Sequence, residues 1–123
     1  FGLKLKKFIK DRKLEVEDID ILKVGRHLEV NGKKVIISRN KNENPILKKY
    51  NGENFLKMYP IGVAGPIGLI EKNSDKNIKE IASKILLTYT KATNGIVGIN
   101  GENFEVESFE NKEKIKEFMI YKG

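Results

Sequence analysis

The run Lys23-Val24-Gly25-Arg26-His27-Leu28-Glu29-Val30-Asn31-Gly32-Lys33-Lys34-Val35-Ile36-Ile37-Ser38-Arg39 decides how this sequence folds. Leu22, Val24, Leu28 and Val30 keep one alternating phase, and Val35 and Ile37 resume it after Asn31-Gly32. A period of two marks a half-buried strand. Asn-Gly between two such runs specifies a hairpin, because a type I′ turn needs positive φ at both central residues. A two-residue turn also fixes the register. Val30 then faces Lys33, Leu28 faces Val35, Arg26 faces Ile37 and Val24 faces Arg39. In that register Arg26 and Arg39 share one face as diagonal neighbours, within reach of long side chains. His27 and Lys34 lie on the other face.

Upstream of the hairpin, Leu5, Phe8 and Ile9 recur at helical spacing between lysines, so Leu3 to Lys13 reads as a short basic helix. Glu15 to Asp20 is acidic and reads as a solvated segment, without the loop glycine of a calcium hand. Residues 1–20 are therefore expected to be a basic helix or linker leading from an upstream region, an expectation that the opening at Phe1 in mid-pattern shares with a processed terminus. Residues 21–123 are expected to form a single domain.

Downstream, Asn44-Pro45 suits a helix start, with Asn capping free amides and Pro at the first helical position. Ile46 to Tyr50 reads as a short helix ended by Asn51-Gly52. Phe55 to Glu71 reads as extended, interrupted by Pro60, Gly62, Gly65, Pro66 and Gly68. Asp75 to Ala92 carries the best helical pattern, with Ile78, Ile81, Ala82, Ile85, Leu86 and Tyr89 on one face and Asn94-Gly95 as its stop. Ile96 to Ile99 and Phe104 to Phe109 flank Asn100-Gly101 as a second hairpin, and Asn111 caps a final turn or helix through Ile115 and Phe118. The fold class is α+β: two β-hairpins and an extra central strand in a mostly antiparallel sheet, packed against one long helix and shorter helices.

The 123 residues carry 24 Lys+Arg against 17 Asp+Glu, a net charge of +7. Residues 1–49 hold 14 basic and 7 acidic residues, and residues 50–123 hold 10 of each. The excess sits in one part of the chain, a pattern that suits an anionic partner, nucleic acid above all, or a solvated lysine-rich surface. Without cysteine there are no disulfides, thiolate metal sites or cysteine nucleophiles, and the single histidine, His27, leaves little for a histidine-based catalytic pair or zinc site. No apolar run has the roughly 20 residues of a membrane helix. No signal-peptide pattern is visible, so the cytoplasm is the expected location. No metal, cofactor or catalytic residue is expected in this chain.

Three constellations remain. The first is Gly25-Arg26-His27 with Arg39-Asn40 and Glu43-Asn44, in which Arg26 and Arg39 share one hairpin face. Two guanidiniums on one face repel unless an anion lies between them, and a phosphate suits both forks. The alternative is an ion pair from Glu43 to one arginine. Free amides at the helix start near Asn44 could complete an anion cradle. The second is the glycine-rich run Tyr59 to Gly68, which includes Gly65. It matches neither a P-loop nor a dinucleotide fingerprint, and it reads as backbone approached by nucleic acid or as an irregular strand packed on the long helix. The third is aromatic: Phe8, Tyr50, Phe55 and Tyr59 could stack on unpaired bases or belong to the core.

Ser38-Arg39-Asn40-Lys41-Asn42-Glu43-Asn44-Pro45-Ile46-Leu47-Lys48-Lys49-Tyr50, with Lys23-Val24-Gly25-Arg26-His27 before it, resembles the RNA-binding domain of NFACT type. That family's pattern reads Gly-Arg-Asp/Asn, two residues, Glu/Gln-Asn, then Leu-Val-Lys-Lys-Tyr; Ser38 stands here for the glycine. The family's His-Ala-Asp is replaced by Gly62-Val63-Ala64-Gly65-Pro66. The departure is similar to the divergent form that follows the PP-loop ATP-pyrophosphatase domain of tRNA thiouridine synthase-like proteins, sometimes labelled tRNA methyltransferases. The resemblance covers about residues 21 to 110. It implies an accessory RNA-binding domain, for tRNA, beside an upstream catalytic domain that carries the tRNA-modifying transferase chemistry. Arg26, Arg39, Lys34 and Lys41 would meet phosphates, and His27, Asn40 and Asn44 would add polar contacts. Lys23, Tyr50, Tyr59 and Gly65 are weaker candidates. The rival reading is a protein-interaction domain docking on that catalytic domain or on an acidic partner.

Overall fold

The computed structural model describes residues 21, 23–50 and 52–119. The basic segment expected within residues 1–20 lies outside the described residues. β1 (Arg26–Val30) and β2 (Lys33–Ile37) form the first hairpin, followed by the short helix α1 (Asn44–Lys48). β3 (Phe55–Ile61), β4 (Gly68–Glu71), the long helix α2 (Lys76–Thr88), β5 (Asn94–Ile99) and β6 (Glu102–Glu107) follow, and a 3₁₀ helix covers Lys112–Phe118. All six strands join one antiparallel sheet in the order β1-β2-β4-β3-β5-β6.

Both Asn-Gly turns form as expected. Asn31 and Gly32 take φ of 48° and 84°, Asn100 and Gly101 take 49° and 86°, the left-handed values that a tight I′ connection requires. The first hairpin pairs Arg26 with Ile37, Leu28 with Val35 and Val30 with Lys33. The second pairs Ile99 with Glu102 across its turn.

The extended run from Phe55 to Glu71 is two strands rather than one. It reverses at residues 62–67, and β3 and β4 pair with each other, Phe55 with Glu71 through Met58 with Gly68. Pro60 is tolerated inside β3 because β4 pairing ends at Met58, leaving β5 as the neighbour there. The central pair links the two hairpins, which occupy opposite halves of the sheet.

The sheet is covered on both faces. On one, Leu28, Val30, Val35, Ile37, Met58, Ile70, Val97 and Ile99 pack against Ile78, Ala82, Ile85, Leu86 and Leu87 of α2 and against Ile115. On the other, Ile36, Leu69 and Phe55 pack with Ile21, Leu47 and Tyr50. Asp75 caps α2 by accepting from the Ile78 amide at 2.9 Å. The helix ends at Thr88, with Tyr89 as C-cap, well before Asn94-Gly95, which instead opens β5. Three local bonds close it early: Thr88 Oγ1 donates to the Lys84 carbonyl at 2.7 Å, Thr90 Oγ1 donates to the Leu87 carbonyl at 2.6 Å, and the Ala92 amide donates to Thr90 Oγ1 at 3.1 Å. Hydroxyls that satisfy helix carbonyls favour such endings. Asn111 caps the 3₁₀ helix as expected, accepting from the Glu113 amide at 3.0 Å.

Candidate nucleic-acid interface

At the open end of the first hairpin, opposite its turn, the chain leaves β2 through Ser38 and turns back into α1. This return is tied by side chains. Asn40 Oδ1 accepts from the amides of Asn42 and Glu43 at 2.9 and 3.1 Å. Asn44 does not cap α1: Glu43 holds the cap position without a side-chain bond. The Asn44 carboxamide oxygen instead accepts from the Ser38 hydroxyl and from the Ile67 amide, the latter at 3.2 Å. Ser38 also takes a backbone bond from its amide to the Ile67 carbonyl at 2.9 Å. Ser38, 1% exposed, thus pins the turn to the segment ahead of β4.

Glu43 is the centre of this knot. The residue is 6% exposed. It accepts from the Arg39 amide at 2.7 Å, from Arg39 Nη2 at 2.7 Å and from Arg39 Nε at 3.2 and 3.3 Å. The Arg39 side-chain bond is the main reason its pKa falls from 4.5 to about 2; burial opposes the fall, and the amides of Arg39 and Gly25 assist it. The same pairing raises the pKa of Arg39. The ion pair is thus made by Arg39, whose side chain remains 53% exposed and keeps its outer face free for a second anion.

Arg26 points into the same region. Its Nη1 donates to the Ser38 carbonyl at 2.6 Å, and its guanidinium carbon sits 4.1 Å from the centre of the Tyr89 ring. Lys112 Nζ lies 5.5 Å from that ring centre. The electron-rich ring attracts both cations. Burial raises the Tyr89 pKa, with the Arg26 charge opposing, so the ring stays a neutral phenol at pH 7.

These groups border a cleft of about 560 Å³. Its cations are Arg26, Arg39, Lys41 and Lys112, and among the described residues no acidic side chain lines it. Asn40, Asn44 and Gly65 join its walls with Ala64 and Pro66. Gly65 is required there by close approach: a Cβ would stand 2.6 Å from Thr90 Cγ2. Four like charges around one recess raise its potential, and an anion relieves their repulsion.

Not every candidate arrives at the cleft. Arg26, Arg39, Asn40, Lys41, Asn44 and Gly65 do. Lys34 and His27 do not: they are 3% and 5% exposed on the opposite face of the hairpin, where a phosphate has no access. His27 Nε2 lies 3.0 Å from the Val24 carbonyl, and the Lys34 amide donates to Glu71 Oε1 at 2.8 Å. Tyr50 is 5% exposed, edge-on to Phe55 at 5.8 Å between centroids, so its ring belongs to the second core. Tyr59 is 38% exposed on β3 and Lys23 is exposed ahead of β1, both outside the cleft lining. Phe8 lies outside the described residues. Tyr89 and Lys112 escaped the sequence reading, which placed Tyr89 on the buried face of the helix and gave Lys112 no role.

The family model described as the NFACT protein RNA binding domain matches residues 25–119. The chain belongs to this family. Its members are classed by RNA binding, and the matched span contains every residue that lines the cleft. Among solved structures, the C-terminal of the fibronectin/fibrinogen-binding protein from Streptococcus suis shares the fold, with a TM-score of 0.63 at 14% identity. The superposition covers 95% of this chain and 66% of that one, so the chain spans just under two thirds of its relative. No curated protein matches the chain.

Proposed function

We propose that this NFACT-type domain binds RNA through the cleft between the first hairpin, the 62–67 loop and the end of α2. The observation that carries this reading is the lining itself: Arg26, Arg39, Lys41 and Lys112 converge without an acidic side chain among the described lining residues. The charge excess reinforces it, since residues 21–49 alone hold eight basic and two acidic residues. Phosphate contacts of this kind position a polyanion without reading its sequence. We further infer that the RNA is a tRNA, in the cytoplasm, and that the domain holds it for a catalytic domain of the same polypeptide that modifies it. The motif from Ser38 to Tyr50 and the Gly62–Pro66 departure support that finer reading. In this reading the domain contributes affinity and orientation, and the catalytic domain carries the chemistry.

The test is tRNA binding across a salt series, with a Lys41→Ala/Lys112→Ala double variant alongside. Both lysines are exposed, so melting should be unchanged. Log affinity should fall linearly with log salt, and the variant should lose about one in slope for each phosphate contact removed. Retention with an unchanged slope would put the phosphates elsewhere. Absence of tRNA retention at low salt, together with stable association with a catalytic domain, would favour the protein-docking reading.

A further inference from the structure

A second recess adjoins the basic cleft. It has a volume of about 480 Å³ and shares Ala64 and Tyr89 with the first. Its other walls are Val63, Thr90, Lys91 and Ala92. Its chemistry is different: three aliphatic side chains form the walls, and Lys91 alone brings charge. Val63 is 40% exposed, an apolar side chain held open to solvent on the 62–67 loop. The Thr90 hydroxyl is already committed to the Leu87 carbonyl and the Ala92 amide, so it has little left to offer a ligand. An apolar recess beside a cluster of cations, with one more cation on its own wall, matches the alternation of a nucleotide chain, in which phosphate, base and next phosphate follow in turn.

Resting on the RNA-binding reading of the basic cleft, we propose that the recess walled by Val63, Ala64 and Ala92 takes the base of an unpaired nucleotide whose phosphate sits among Arg26, Arg39 and Lys41. A paired base is enclosed by its helix and cannot enter a recess; only a base splayed from a single strand, loop or end can do so. The occupant is therefore single-stranded RNA, and Lys91 is placed to meet the adjoining phosphate. Among the described lining residues the recess offers mainly aliphatic contact, with the Tyr89 hydroxyl and the Lys91 ammonium as its polar groups, so it accepts a base without strong sequence preference.

Two probes of equal strand length decide the matter, a single-stranded oligouridine and a fully paired, blunt-ended RNA duplex, titrated against the 123-residue chain at one salt concentration. The single strand should bind about tenfold more tightly, the order expected for removing roughly 55 Å² of apolar surface from water. Val63→Asn removes apolar wall without altering charge. It should weaken oligouridine binding by roughly fivefold, the scale of one or two uncovered methyl groups, and leave both duplex binding and the salt slope unchanged. Equal binding of the two probes by the wild-type chain would overturn the inference while leaving the RNA-binding reading intact. So would a Val63→Asn variant that weakens both probes alike or neither. Failure of both probes to bind at low salt would overturn this inference and the RNA-binding reading together.

Discussion

Replacing Glu43 by glutamine separates the ion pair from the shape it occupies. The carboxamide of a Glu43→Gln variant would keep a carbonyl oxygen for the Arg39 amide, which now donates at 2.7 Å, and would lose the charge together with the second oxygen that accepts from Arg39 Nη2. A carboxyl held at about 2 instead of 4.5 corresponds to roughly 3 kcal/mol of preference for its ionised form in the folded chain. The Arg39 side chain is 53% exposed, so water screens part of that interaction, and about 2 kcal/mol is the expected loss of stability at pH 7. With urea as denaturant this moves the midpoint down by about 1 M. The pH dependence gives an independent check. Because the folded pKa is depressed, the stabilisation is complete above the unfolded value of about 4.5 and disappears as pH falls through about 2. Wild type and Glu43→Gln should therefore differ most above pH 5 and converge as the pH approaches 2. A variant as stable as wild type at pH 7, or a difference that persists undiminished to pH 2, would refute the argument that the charged pair ties this turn.

Further outcomes are expected elsewhere in the domain. Gly65→Ala places a methyl group 2.6 Å from Thr90 Cγ2 and 3.3 Å from Pro60 Cγ. The 62–67 loop must shift, at about 1–3 kcal/mol, and RNA affinity should fall because Ala64 and Pro66 move with it; paired melting and binding curves that both match wild type would contradict this. Asp75→Ala removes the α2 cap and should cost about 1 kcal/mol, lowering the melting temperature by roughly 4 °C with no change in RNA affinity. A calorimetric scan beside the binding assay checks both halves of that statement.

Legibility in the sequence followed how local the determinants are. The Asn-Gly turns specify φ, connection and register within a few residues, and the pairing of Arg26 with Ile37 follows from the turn at Asn31-Gly32 alone. The α2 pattern is likewise carried by thirteen contiguous helical residues, although its end is set by threonine hydroxyls rather than by the downstream Asn94-Gly95. The reversal between β3 and β4 was obscured because Pro and Gly are scattered through residues 60–68, on both sides of the turn itself. At the site, Arg26 and Arg39 were legible from hairpin register, as was the option that Glu43 pairs with one of them. The burial of Lys34 and Tyr50 was not, because it depends on the second layer laid over the opposite sheet face by Ile21 and Leu47. Tyr89 reaches Arg26, and Lys112 reaches the Tyr89 ring, only through packing of α2 and the 3₁₀ helix, and no spacing in the chain records that meeting.

The walls of the basic cleft come from the end of the first hairpin, the loop ahead of β4, the last turn of α2 and the start of the 3₁₀ helix. No half of the domain contains it, so a partly folded chain carries the same charges without the recess. Occupancy and complete folding are therefore thermodynamically linked. A ligand present at a hundred times its dissociation constant would stabilise the whole domain by about 2.7 kcal/mol, and hydrogen exchange in strands far from the bound RNA would slow along with those beside it.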